Sequence, residues 1–107
     1  MPSPKPASST YGRRLRAARL AAGLSLGDMS EALGHDDYST GAPQVSRYER
    51  GEQSPRPRIA ETIAGYLGLP LAYFYAEDDK LAELILLYSR MPARKQNELL
   101  KQLREQS

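Results

Sequence analysis

Helical periodicity that glycine and proline repeatedly interrupt constrains the fold of this chain most. From Tyr11 nearly to the end, apolar residues recur at spacings of three and four, which is typical of amphipathic α-helices. Glycine and proline separate these segments, because neither residue continues a helix well. No segment has the alternation of a strand, so the pattern predicts an all-α protein. The predicted helices are 11–22, one between Ser25 and Gly34, 42–50, 57–67, 71–75, 80–90 and 93–105.

Composition excludes several classes of protein. The 107 residues suit one compact domain, or one with a short accessory segment. The chain has no cysteine and a single histidine, His35, which excludes disulfides, zinc sites built on several Cys or His ligands, and relays that need two histidines. No apolar run approaches the ~20 residues of a membrane helix. Residues 1–10 lack the apolar core of a secretory signal, so we expect a cytoplasmic protein with a loose N-terminal tail over 1–10.

Two short helices joined by a turn carry the functional signal. The segment LSLGDMSEALG predicts the first helix, and Ser25 and Asp28 have the spacing of a capping box at its start. Residues 35–41, HDDYSTG, are polar and predict a turn. The segment QVSRYERG then predicts a helix over 42–50 that ends at Gly51. This order is typical of a helix-turn-helix, whose second helix lies in the major groove of DNA.

At these motifs the chain resembles the Cro and repressor type of helix-turn-helix regulator, also called the xenobiotic-response-element family. The resemblance implies a five-helix, lambda-repressor-like DNA-binding domain over 11–76. The segment 68–107 resembles the tail of restriction–modification controller proteins and prophage regulators, and its residues 77–107 are expected to form a helical dimerisation extension. This second resemblance rests on Pro70, Tyr73, Tyr75, Asp79, Leu81, Ala82, Leu84, Ile85 and Leu86. Two departures are the longer turn at 35–41 and Leu26, where the family often has a glutamine that donates to a phosphate. The resemblance rests on Arg19, AGLS at 22–25, ALG at 32–34, VSRYERG at 45–51, SP at 54–55 and YLGLP at 66–70.

The outer face of helix 42–50 predicts the residues that read bases. Val45 and Tyr48 face the core by helical spacing, and four residues then lie on the outer face of the helix. Arginine pairs with guanine O6 and N7, and glutamine pairs with adenine or bonds a phosphate. Alanine and proline touch only apolar groups such as the thymine methyl. The predicted base-reading residues are Ala42, Pro43, Gln44 and Arg47.

A second set is predicted to contact phosphates, which fix register without reading sequence. For Thr40 a helix-capping role is the stronger interpretation, and for Arg50 and Arg56 a solvated surface charge is an equal alternative. The resemblance further implies an ion pair between Arg19 and Glu49, which makes both residues structural. The predicted phosphate-contacting residues are Ser25, Thr40, Arg50, Ser54 and Arg56.

The last two helices predict dimerisation. They carry apolar stripes that need cover, supplied either by the DNA-binding core or, as we prefer, by a second copy across a two-fold axis. One short recognition helix reads only a few base pairs, which favours two half-sites. The net charge is +2 over 1–75 and zero over 76–107, so the excess lies on the DNA-binding part. The predicted dimer residues are Leu81, Leu84, Ile85, Tyr88, Leu99 and Leu103.

These observations favour a homodimeric repressor that binds an inverted-repeat operator in double-stranded DNA. We expect no metal, cofactor, small-molecule ligand or membrane partner. An enzyme is not indicated, because the acidic pairs 36–37 and 78–79 precede helices, where carboxylates cap. The alternative is a protein-interaction module, such as a DNA-binding antitoxin whose C-terminal helices bind a partner protein.

Overall fold

The computed structural model describes residues 9–34 and 38–107, with the backbone alone for 38–40. These residues form seven α-helices and no strand, so the all-α prediction is confirmed. The helices are α1 (Thr10–Ala21), α2 (Leu26–Ala32), α3 (Tyr38–Glu49), α4 (Pro57–Leu67), α5 (Leu71–Tyr75), α6 (Asp79–Ser89) and α7 (Ala93–Gln106).

Local sequence signals set several helix ends. The Ser25 hydroxyl accepts a hydrogen bond from the Asp28 N–H at 3.0 Å, and the Asp28 carboxylate accepts one from the Ser25 N–H at 2.9 Å. The predicted capping box therefore forms with aspartate in place of glutamate. Asp78 caps α6 in a similar way, accepting from the Leu81 N–H at 2.8 Å. Gly68 ends α4 in the left-handed conformation, at φ 70°.

The first helix begins earlier than predicted. Ser9 is the N-cap of α1, where its hydroxyl accepts a hydrogen bond from the Gly12 N–H at 3.0 Å. Residues 9 and 10 therefore belong to the first helix, because a serine cap satisfies one of the N–H groups that a helix start leaves unpaired. The rest of the predicted tail, 1–8, and the turn residues 35–37 lie outside the described residues.

The third helix begins earlier than predicted. It starts at Tyr38, whereas the polar composition of 35–41 predicted a turn and a start at 42. Pro43 consequently lies inside the helix and not in its first turn, so the carbonyl of Ser39 lacks the N–H that any other residue at 43 supplies. Gly41, in the added part of the helix, is buried on the same side as Val45, so the longer helix extends the buried side of α3.

One core joins the first five helices. Each contributes a side chain with no exposed surface, namely Leu15, Met29, Val45, Ile63 and Phe74 in chain order. Ala82 of α6 extends the same cluster, and Ile85 and Leu86 pack against it. The buried side of α4 consists of Ala60, Ile63 and Ala64, whereas Tyr66 of the same helix is 48 % exposed.

Buried Arg14 connects α1 to the junction of α5 and α6. Its Nε and Nη2 donate to the carbonyl of Ala76 at 3.0 and 2.7 Å, and Nη2 also donates to the carbonyl of Glu77 at 3.1 Å. Nη1 lies 3.0 Å from the Asp79 carboxylate. The guanidinium also lies over the Tyr73 ring, 5.8 Å from its centroid. One side chain thus fixes where the C-terminal helices leave the core.

Candidate nucleic-acid interface

The helix α3, which contains the predicted base-reading residues, is held closely against α1. A Cβ built on Gly12 would lie 2.5 Å from the carbonyl oxygen of Glu49 and 2.7 Å from that of Tyr48. Only glycine permits this approach, since any side chain would overlap the backbone at the C-terminal end of α3. The close contact sets the position of α3 relative to α1.

A buried ion pair adds to this contact. Arg19 Nε lies 2.6 Å from Glu49 Oε2, and Nη2 lies 3.1 Å from Oε1, so the pairing is bidentate. The third nitrogen of Arg19 donates to the carbonyl of Leu24 at 2.9 Å, between α1 and α2. The hydrogen bond with Glu49 raises the pKa of Arg19 above its ordinary value. The structure thus brings together the two residues whose pairing the family resemblance implies.

The predicted base-reading residues lie outside the buried stripe of α3. That stripe consists of Gly41, Val45, Tyr48 and Glu49. Pro43 is exposed, and Ala42, Gln44 and Arg47 are half-buried. Among the described residues, no carboxylate lies within 4.0 Å of Arg47. The amide of Gln44 donates to the side-chain oxygen of Gln53 in the following loop.

The early start of α3 changes which residues occupy its N-terminal end. The first turn of a recognition helix contacts base edges most directly, and here that turn is 38–41. Ala42 and Pro43 lie in the next turn. Thr40 is the third residue of the helix, so the expectation that it caps α3 is wrong. Its side chain and those of Tyr38 and Ser39 lie outside the described set.

The predicted phosphate-contacting residues surround α3. Ser25 is exposed at the start of α2, and because its oxygen accepts from the helix backbone, its O–H stays available to donate. Ser54 and Arg56 are exposed in the segment between α3 and α4. Arg50 is also exposed and pairs with Glu52, with its Nε 3.2 Å from Oε2. Such a surface pair is weak, so a phosphate can replace the glutamate.

A cleft rich in arginine lies beside these residues and was missed by the sequence analysis. It has a volume of about 720 Å³ and forms between α1, the start of α2 and the end of α3. The spacing of Arg13, Arg16 and Arg19 on one side of α1 is the sequence signal that points to it. We call it the arginine cleft. Its lining is Arg13, Arg16, Ala17, Arg19, Leu20, Leu26, Ser46, Glu49 and Arg50.

The two C-terminal helices form an apolar groove of about 510 Å³. Leu84 and Leu103 are 46 % and 44 % exposed in it, and none of the fourteen residues of α7, all of them described, is buried. Gln96 Nε2 donates to the carbonyl of Tyr88 at 2.9 Å and connects the two helices. Leu81 is 47 % exposed but does not line the groove. We call this the apolar groove. Its lining is Pro70, Leu84, Ile85, Tyr88, Ser89, Gln96, Leu99, Leu100 and Leu103.

The described ranges, 9–34 and 38–107, contain neither a membrane-spanning helix nor a metal-binding cluster. No helix there is both long and apolar enough to span a membrane. No group of three or more histidine, aspartate or glutamate side chains there is arranged to hold a metal ion.

Comparison with known proteins agrees with this architecture. Residues 10–73, from the start of α1 into α5, match the family described as Helix-turn-helix domain. The crystal structure of the transcriptional regulator BswR has a similar fold, with a TM-score of 0.82 and 36 % sequence identity. The similarity covers 88 % of this chain and 92 % of that chain, so it extends past α5 into the C-terminal helices. No curated protein matches the chain in sequence.

Proposed function

The chain belongs to the helix-turn-helix domain family, and we propose that it is a sequence-specific transcriptional regulator that binds double-stranded DNA as a homodimer. The observation that carries this proposal is the way in which α3 is fixed against α1. The ion pair of Arg19 with Glu49 and the contact at Gly12 fix the inner side of α3, while Gln44 and Arg47 stay partly exposed on its outer side. A helix that is fixed on one side and offers polar side chains on the other suits insertion into a major groove.

Sequence reading is assigned to the uncovered side of α3. Arg47 has no competing carboxylate among the described residues and pairs with guanine O6 and N7. Gln44 exchanges its bond to Gln53 for one to adenine or to a phosphate. Ala42 and Pro43 contact apolar groups such as the thymine methyl. A bidentate arginine–guanine pair discriminates against other bases by about 1–3 kcal/mol.

Phosphate contacts on both sides of α3 would fix its register on the duplex. Ser25 offers a hydroxyl beside the N–H groups at the start of α2, where an anion is favoured. Thr40 lies in the first turn of α3. Arg50, Ser54 and Arg56 border the segment between α3 and α4, and their contribution is independent of base sequence.

The apolar groove supports the dimer. Helix α7 has no buried residue within one chain, although Leu99, Leu100 and Leu103 share one side of it. Full burial of a leucine side chain contributes about 1.5–3 kcal/mol, so covering this side stabilises an association. A second copy placed across a two-fold axis covers Leu84 and Leu103 of both chains. It also presents two α3 helices to an inverted repeat, which a repressor uses to occlude a promoter.

Parallel site selection from random duplex DNA with wild-type protein and Arg47→Ala tests the assignment of base reading. We expect the variant to lose preference at one base position in each half-site and to keep it elsewhere. The control is Arg94→Ala, which removes an exposed arginine of α7 and is expected to select the wild-type motif. If Arg47→Ala weakens binding to all DNA sequences equally, the assignment of base reading to Arg47 is wrong.

Sedimentation equilibrium tests the dimer. We expect wild-type protein to be a dimer at micromolar concentration, and Leu84→Glu to be monomeric, because it places a charge in the apolar groove. The matched control is Leu87→Glu, at a leucine that is 51 % exposed and does not line the groove. A monomeric wild-type protein would contradict the homodimer and favour the antitoxin-like alternative, in which a different protein covers the groove.

A further inference from the structure

The arginine cleft carries more positive charge than the ion pairs around it neutralise. Arg19 and Glu49 neutralise each other. Arg13 lies 4.0 Å from Asp79, but that carboxylate is 3.0 Å from Arg14 and belongs mainly to it. The cleft therefore keeps a surplus of arginine charge at its rim.

Arg16 and Arg50 contribute most of this surplus. Both are exposed. Within the described residues, no carboxylate lies within 4.0 Å of Arg16, and Arg50 contacts only the exposed Glu52. One arginine comes from α1 and the other follows α3, so the two cations border the cleft from different elements.

The other residues that line the cleft leave these arginines as the main hydrogen-bond donors to an anion. Leu26, at the start of α2, lines the cleft and has no polar group. Of the residues that line the cleft, Ser46 of α3 alone has an uncharged polar side chain, and it lies directly before Arg47. An anion in this cleft is consequently bound by guanidinium groups and contacts the side of α3 adjacent to the base-reading residues.

We propose that the arginine cleft binds the sugar-phosphate backbone of the duplex beside each half-site, with Arg16 and Arg50 on adjacent phosphates and Arg13 extending the contact along α1. This inference rests on the proposed function. A duplex suits the cleft because it carries one charge per about 1.7 Å of helix axis, so several cations are satisfied at once. The helix α1 thereby becomes part of the DNA interface, in addition to supporting α3.

The dependence of binding on salt tests this inference. With the selected operator, we expect Arg16→Ala to lower the magnitude of the slope of log affinity against log salt concentration by about 1.8, because the homodimer loses one phosphate contact of about 0.9 at each of its two half-sites. The base preferences should stay those of the wild type. Arg104→Ala on the exposed end of α7 is the control and should leave the slope unchanged. Thermal unfolding without DNA checks that each variant is folded.

Operators with single uncharged methylphosphonate linkages locate the contact. At one or two backbone positions, the neutral linkage should weaken operator binding by the wild-type protein but not by Arg16→Ala. The variant is unaffected there because it has already lost the contact between the arginine and that phosphate. If the variant keeps the wild-type salt slope and responds to every linkage as the wild type does, the inference is wrong and the proposed function stands. If the wild-type protein selects no operator, the proposed function fails and the inference fails with it.

Discussion

Arg19 of α1 and Glu49 of α3 form a buried, bidentate ion pair, with nitrogen–oxygen distances of 2.6 and 3.1 Å. The residues are 9 % and 7 % exposed, so neither charge is well hydrated. Glu49 is the last residue of α3, and the pair therefore fixes the end of the recognition helix relative to α1.

Removing one partner of this pair should strongly destabilise the fold. We expect Glu49→Leu to lower the free energy of unfolding by about 3–5 kcal/mol, because it leaves Arg19 charged and unpaired in a buried place. Urea denaturation at pH 7 measures the change. The control is Glu52→Gln, which breaks the exposed pair with Arg50 and should cost less than about 1 kcal/mol. Equal losses for the two variants would contradict a structural role for the buried pair.

Two glycine-to-alanine substitutions in helices should have opposite effects. Gly12→Ala places a methyl group 2.5 Å from the carbonyl oxygen of Glu49, so α1 and α3 must separate, and we expect a lower melting temperature and weaker DNA binding. At Gly65 the new methyl group would lie more than 4 Å from every described residue apart from its chain neighbours and the backbone of its own helix, so Gly65→Ala should stabilise α4 by about 0.5–1 kcal/mol. Thermal unfolding of both variants measures this. A stabilising Gly12→Ala would show that the helices are not in close contact.

Because the Tyr11 hydroxyl is buried, we expect the protein to lose stability at alkaline pH. Burial raises the pKa of its hydroxyl above the ordinary value, with further increases from Tyr75 and Tyr48. Above about pH 10 the unfolded chain releases this proton and the folded chain retains it, so the free energy of unfolding decreases as the pH rises. Tyr11→Phe should show a smaller decrease. The exposed Tyr66→Phe is the control, and it should follow the wild type in denaturation series between pH 8 and about 11.

Tyr11→Phe should be tolerated at neutral pH. The Tyr11 hydroxyl is buried and has no hydrogen-bond partner among the described residues. Replacing it with phenylalanine removes an unsatisfied polar group, so we expect a free energy of unfolding equal to or above that of the wild type at pH 7. A loss of more than about 1 kcal/mol would indicate that the hydroxyl makes a stabilising hydrogen bond.

Arg14 should determine how firmly α6 is attached to the core. Arg14→Lys keeps the charge but loses the planar donor set that binds the carbonyls of Ala76 and Glu77, and we expect a cost of about 1–3 kcal/mol. Amide hydrogen exchange should show the largest loss of protection in α6. Arg13→Lys, at a side chain that is 47 % exposed, is the matched control and should have little effect. Uniform loss of protection over all helices would contradict a local role.

The sequence predicts the elements whose ends depend on local chemistry. The helix predicted over 57–67 forms over those residues, because Pro57 suits a first helical position and Gly68 suits a left-handed end. The helix predicted over 80–90 forms over Asp79–Ser89, one residue earlier, under the cap of Asp78. In these cases the residues that decide the boundary are neighbours in the chain.

Features that depend on distant residues were not predictable from the sequence. The early start of α3 includes the buried Gly41, whereas the local composition of 35–41 favours a turn. The carbonyl partner of Arg14 is 62 residues away. The arginine cleft likewise combines Arg16 of α1 with Arg50 after α3, and only the folded chain brings them to one cleft.

Selection of binding sites from random duplex DNA, with wild-type protein at physiological salt, shows whether the protein recognises a specific DNA sequence as a homodimer. A homodimer with two α3 helices should enrich an inverted repeat whose half-sites are centred about 10–10.5 base pairs, or one helical turn, apart. Binding to that repeat should exceed binding to unrelated duplex at the same salt concentration. Recovery of no motif, with binding that disappears as salt rises, would contradict sequence-specific recognition and leave only attraction to phosphates.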